Sequence, residues 1–153
     1  MFSRSRAFGG GPTMNNEADP TGSSAFSADL VQSGRRVFRI DDGLFLLRQV
    51  PVQTPFTVDA LFNQLEELAA GLDRFAYVVD LTKAKRPDAP TREKLKQRIF
   101  GIHERLVHVG LVLGSNPVMR ALAKLVIFAS GVRSFSFHES VEDATEACRR
   151  ALR

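Results

Sequence analysis

The sequence has no tryptophan, a single tyrosine, a single cysteine and three histidines among 153 residues. One cysteine excludes an internal disulfide, so a reducing compartment is expected. One cysteine and three scattered histidines do not assemble a metal-ligand cluster, and no metal or other cofactor is expected. No long hydrophobic run is present. The most apolar stretch, Leu122 to Ala129, is interrupted by Lys124 and is too short to span a bilayer. No signal peptide is visible, because Arg4 and Arg6 are followed by Gly9-Gly10-Gly11-Pro12 and not by an apolar segment. A cytoplasmic protein is expected.

What is present suffices for one folded unit. Apolar residues make up 44% and charged residues 25%, the balance of an ordinary globular chain. Twelve phenylalanines supply core volume. Glycine, proline, serine, threonine and asparagine account for 17 of the first 34 residues. Such a segment buries too little apolar surface to offset the entropy of ordering it, so residues 1–34 read as a disordered tail. Phe2, Phe8 and Phe26 are isolated in it, either incidental or part of a short docking motif. The folded domain is expected over 35–153.

Within that domain the pattern alternates between strand and helix. Val37–Ile40 and Leu44–Leu47 flank Asp41-Asp42-Gly43, a hairpin signal because glycine accepts positive φ. A first helix follows, with Thr57 as its expected cap and Phe56 and Leu61 as a hydrophobic staple. Leu61, Leu65, Leu68 and Leu72 share its apolar face. Phe75–Val79 is nearly continuous apolar sequence, as in a strand buried on both faces. A second helix from about Thr91 carries Leu95, Ile99, Ile102 and Leu106. Leu106–Leu113 is the next buried strand. Asn116 and Pro117 open a third helix running to Gly131. Phe135–Phe137 is a short strand, and Ser140 with Asp143 opens the last helix. This order predicts an α/β fold with a mixed sheet of about five strands and four main helices. Ligands of such sheets bind beyond the carboxyl ends of the strands, where the loops 80–90, 114–117 and 138–140 gather.

Tyr77-Val78-Val79-Asp80-Leu81-Thr82, Val109–Gly114 running into Asn116–Arg120, and Ser140–Ala144 together resemble the STAS family of sulfate-transporter and anti-sigma-factor-antagonist domains. The similarity runs over residues 35–153 and is nearest to the soluble antagonist branch, often described beside lipid-binding Sec14-like domains. It implies a regulatory or scaffolding protein-interaction module in bacterial signalling, not an enzyme. In antagonists a serine after the strand end is the regulatory phosphoacceptor. Ala89 occupies that place here, beside Asp88 at the acidic position. Ala89 has no hydroxyl to phosphorylate. Thr91 is the nearby substitute, or else a plain helix cap.

Charge is concentrated between residues 83 and 98. Lys83, Lys85, Arg86, Arg92, Lys94, Lys96 and Arg98 stand against Asp88 and Glu93, an excess larger than the +4 of the whole chain. Lys83, Lys85, Arg86, Asp88, Thr91, Arg92 and Lys96 are therefore the candidate partner-binding residues, suited to an acidic protein surface, a regulatory kinase-like protein or an anionic lipid headgroup. The other reading is a solvated helix face. No aromatic platform accompanies the cluster, which argues against nucleic acid. The third helix is apolar around more than one face, making Leu122, Val126 and Phe128 a candidate interface for self-association or lipid, or else a covered core helix. A lipid or small apolar ligand carrier is thus the alternative function. Asp80, Ser115 and His138 fall near strand ends, but Gly114-Ser115-Asn116-Pro117 is not a nucleophile elbow, and Ser115 reads as a turn residue. Cys148 shares a helix face with Val141 and Ala144 and reads as an inert packed thiol.

Overall fold

The structure is a computed structural model, and it describes residues 34–153. The expectations for the tail and its three phenylalanines fall outside the described residues.

Five strands and four helices follow one another. They are β1 (Val37–Asp41), β2 (Leu44–Arg48), α1 (Pro55–Leu68), β3 (Phe75–Asp80), α2 (Ala89–Ile102), β4 (Leu106–Val112), α3 (Pro117–Ala129), β5 (Phe135–His138) and α4 (Val141–Leu152). The sheet order is β1-β2-β3-β4-β5. β1 and β2 form the antiparallel hairpin, with Gly43 at φ +72° in its turn. All other neighbours are parallel. Each crossover moves the chain one strand over in the same direction, so α1, α2 and α3 lie on one face and α4 on the other.

The strand sequences encode this double cover. Phe75, Tyr77 and Val79 of β3 belong to the larger core under α1–α3, while Ala76 and Val78 belong to the smaller core under α4. Period-two alternation sends each set to its own face. Small residues let α4 approach closely. A Cβ on Gly110 would sit 3.1 Å from Ala144 Cβ and 3.3 Å from Cys148 Sγ.

Two helix starts lie earlier than expected. Thr54 caps α1 in a reciprocal box with Thr57, and Pro55 takes the first helical position. Phe56 is 80% exposed and staples nothing. Asp88 caps α2, which places Thr91 inside the first turn. Leu106 belongs to β4 and not to the α2 face, because a 3-10 turn at His103–Arg105 ends the helical register. Arg105 from that turn donates to the carbonyls of Ala69 at 2.7 Å and Leu72 at 3.0 Å, satisfying the end of α1.

Candidate functional site

The row Leu47–Val79–Leu111 runs across β2, β3 and β4 in register, just inside their carboxyl ends. It forms the floor of a small cavity of about 70 Å³ that opens at the surface. Tyr77 and Phe62 close the inner end. Leu95 and Ile99 of α2 stand on one side, and Met119, Leu122, Ala123, Val126 and Ile127 of α3 on the other. The loop from Leu81 to Pro87 and the segment Gln49–Gln53 frame the mouth. The backbone N–H of Lys85 donates to Pro51 O at 2.8 Å and ties these two segments together.

Polar groups in this cavity are few. Lys85 lines the mouth, and Gln49 and Gln53 line the wall. Gln53 is 8% exposed, and its Oε1 is buried without a hydrogen-bond partner. Burial pushes the Tyr77 hydroxyl well above its ordinary range, with proximity to Cys148 adding to the effect, so it stays protonated.

The basic cluster divides into two parts. Arg98 donates to Asp59, Asn63 and Glu66 of α1 at 3.3, 2.9 and 2.7 Å, and Lys94 pairs with Asp59 at 3.3 Å. Arg92 donates to Pro87 O, and Lys96 lies 3.8 Å from Glu93. These helical cations hold α2 to α1 or to its own first turns. Lys83, Lys85 and Arg86 lie in the loop after β3, exposed, and form no ion pair among the described residues. Among the described residues, the cations of this segment without a carboxylate partner are therefore the three of the loop and Arg92.

Thr91 requires a correction. It is fully buried, and its hydroxyl donates to Gln53 O at 3.5 Å. The folded chain offers no hydroxyl there to a kinase and no surface there to a partner. Asp88 caps the helix through Thr91 N–H at 2.9 Å, and the same hydrogen bonding holds its carboxyl below the ordinary range.

The third-helix candidates also separate. Val126 is buried and Leu122 is half-buried, and both face the cavity. The opposite side of α3 carries Val118, Leu125 and Phe128, exposed at 57%, 60% and 75%. Their spacing of seven and then three residues puts them on one stripe. Phe128 is thus the only one of the three named residues on the outer face.

Asp80, Ser115 and His138 form no hydrogen bond with one another among the described residues. Asp80 accepts from Thr82 N–H and Oγ1 at 3.1 and 2.7 Å. His138 Nε2 lies 2.6 Å from Ser136 Oγ, and Ser115 is exposed in its turn. Ser136 also lies 2.8 Å from His108 Nε2, whose Nδ1 lies 2.6 Å from Ser134 Oγ. This polar chain braces β5 against β4. Among the described residues no group of three His, Cys, Asp or Glu side chains could hold a metal ion. No helix of the described residues is long and apolar enough to cross a membrane. Cys148 is buried under α4, its thiol pushed up to about 11 by desolvation, in keeping with an inert thiol.

Sequence reasoning missed Gln49, Gln53, Leu47 and Met119 as site residues. The one available signal was their position at the carboxyl ends of strands or at a helix start beside them.

No family model matches the sequence, and no curated protein matches it either. Among solved structures, the chain is similar to an uncharacterised DUF3478-family protein with a SpoIIAA-like fold from Shewanella loihica PV-4. The match has a TM-score of 0.60 and 14% identity, and covers 73% of this chain and 90% of the other. The fold is thus SpoIIAA-like, an α/β arrangement with a five-stranded mixed sheet and four helices.

Proposed function

We propose that this domain is a non-enzymatic regulatory module of the STAS type that captures a protein partner with an acidic, partly apolar surface. The observation that carries the reading is two exposed features, one on α3 and one on the loop after β3. The outer stripe Val118–Leu125–Phe128 of α3 is apolar and open, and the loop Lys83–Arg86 presents cations that no carboxylate in the described chain neutralises. Exposed aromatics and aliphatics give a partner area to bury, and the cations steer it and fix its orientation. The SpoIIAA-like fold supports the reading, since it is the scaffold of a protein-interaction domain. Ala89 and the buried Thr91 argue that any switching in such signalling acts elsewhere than at a phosphoacceptor in this loop.

The test is affinity capture of the full chain from its native lysate beside Arg86→Glu and Phe128→Asp. A partner held by the wild type should be lost with both variants, while their melting temperatures stay within a few degrees of the parent. A partner held equally by all three would sink the proposal. Self-association lost with Phe128→Asp alone would instead make the stripe a dimer surface.

A further inference from the structure

The outer stripe of α3 is bordered by cations on both sides. α3 carries Arg120 and Lys124 and no acidic residue. A turn of about 100° per residue sets both on the flank beyond Phe128. The Arg120 guanidinium lies 5.2 Å from the Phe137 ring centre, so this flank faces β5. The other flank carries Leu122 and faces α2, since Leu122 and Leu95 line the same small cavity. On α2, Lys94 and Arg98 turn to α1, and Arg92, Lys96 and Phe100 follow one another at four-residue spacing on the side toward α3. Arg92 has no carboxylate partner among the described residues, and Lys96 meets only Glu93, at 3.8 Å and partly exposed. Phe100 is 60% exposed and stacks on His103 with ring centres 4.6 Å apart. A Cβ on Gly131 would lie 3.1 Å from that imidazole, and Gly131 N–H donates to Phe128 O at 3.2 Å. Phe100 therefore stands beside the Phe128 end of the stripe.

Resting on the protein-capture reading above, we infer that the partner segment is an acidic amphipathic helix that lies along α3 beside α2. The stripe from Val118 to Phe128 is about 15 Å long, the span of nearly three helical turns. A helix laid on it presents apolar anchors at i, i+4 and i+7, which meet Val118, Leu125, Phe128 and Phe100. Burial of these side chains supplies most of the affinity. Carboxylates on the two shoulders of that helix fall opposite Arg92 and Lys96 on one side and Arg120 and Lys124 on the other. These rim pairs fix the register and reject a basic helix. A second copy of this chain fits the stripe poorly, because α3 has no acidic residue and a symmetric contact would set its cations against their own kind.

The test screens a displayed library of random peptides, long enough for such a helix, against the full chain. Enriched peptides are then measured by fluorescence anisotropy and circular dichroism. They should carry apolar residues at helical spacing with Glu or Asp beside them, bind saturably and gain helix signal on binding. Phe128→Asp should abolish this binding. The double change Lys96→Glu with Lys124→Glu should weaken it at least tenfold at a melting temperature close to the parent. If the double variant fails to fold, Lys124→Glu alone decides, with weaker binding expected. Enriched peptides that are neutral or basic, that bind as extended chain, or that bind Phe128→Asp as well as the parent overturn the inference. So does a library without enrichment, and so does binding to phosphatidylglycerol vesicles in place of any peptide, which would make the stripe a membrane contact. A lysate partner lost with Arg86→Glu and Phe128→Asp but kept by the Lys96→Glu, Lys124→Glu chain leaves protein capture standing and overturns the acidic helix.

Discussion

The carboxylate of Asp88 accepts the backbone N–H of Thr91 at 2.9 Å, and Thr91 turns its own hydroxyl inward to Gln53 O. The pair starts α2 and links it to the segment that frames the cavity. It also settles what a negative charge at residue 91 would do.

Thr91→Glu is expected to lose about 3 kcal/mol or more of stability, because it places an unpaired charge in a closed site. Thr91→Val should stay close to the parent, since it keeps the shape and gives up one long hydrogen bond. Urea unfolding of both variants checks this. A Thr91→Glu protein as stable as the parent would reopen the residue as a phosphoacceptor.

Asp88→Ala should lower the melting temperature, and Asp88→Asn should lower it less, because an amide oxygen still caps the helix. The stability supplied by this carboxylate is present above its ordinary value of 3.8 and is lost as pH falls through its depressed folded value. The Asp88→Ala variant should therefore lose the corresponding part of the acid limb in a pH series of melting curves.

His108 gives a second pH dependence with a different window. Burial, reinforced by the nearby His138, lowers its folded value below 6.5. The unfolded chain then binds the proton more readily than the folded one. Stability from this residue is complete above about pH 6.5 and declines as pH falls from there toward the lowered folded value. His108→Gln should flatten the slope of unfolding free energy between pH 7 and about pH 5, near the ordinary imidazole range. An unchanged slope would show that the histidine is not desolvated.

Arg98 is structural in this fold. It lies 5.7 Å from the Phe62 ring centre while donating to three α1 side chains. Arg98→Ala should cost about 1 kcal/mol, the scale of a partly exposed ion-pair network. It should leave partner capture intact, which separates it from Arg86→Glu. Loss of capture with Arg98→Ala at an unchanged melting temperature would return the whole helix to the docking surface.

Gly110→Ala should cost about 1–3 kcal/mol, since its new methyl group would meet Ala144 and Cys148 at 3.1–3.3 Å. Guanidinium unfolding measures it. A neutral result would mean that α4 can shift outward freely.

Much of the architecture was legible because its signals are local. Phe75–Val79 and the β4 run are nearly continuous apolar sequence, broken in β4 by His108, which marks strands covered on both faces. Asp42-Gly43 marks the hairpin, and Asn116-Pro117 the start of α3. The errors at α1 and α2 share one cause. Each helix has its proline at the first or second position and a threonine one turn in, so Thr57 and Thr91 looked like caps when Thr54 and Asp88 take that role. The basic segment was visible as composition, but its division was not. Which cations remain free depends on Asp59 and Glu66 lying opposite Lys94 and Arg98, a contact made across about thirty residues or more. The cavity was the least legible feature. Leu47, Tyr77, Leu95, Leu111 and Met119 come from five elements and share no spacing that would bring them together on paper.

The order β1-β2-β3-β4-β5 has a consequence for how the chain is made. Neighbours in the sheet are neighbours in sequence, so most of the structure can grow by adding one strand and its helix to the last, without distant segments having to find each other first. One element departs from this. α4 packs across β3 and β4, and its Arg149 meets Asp41 of the first hairpin at 2.6 Å, 108 residues away. Until α4 arrives, no other described helix covers Ala76, Val78 and Val112 on that face. A nascent chain emerging from the ribosome would therefore carry a half-covered sheet until residue 152 had cleared the exit tunnel, and that interval is when it most needs a chaperone.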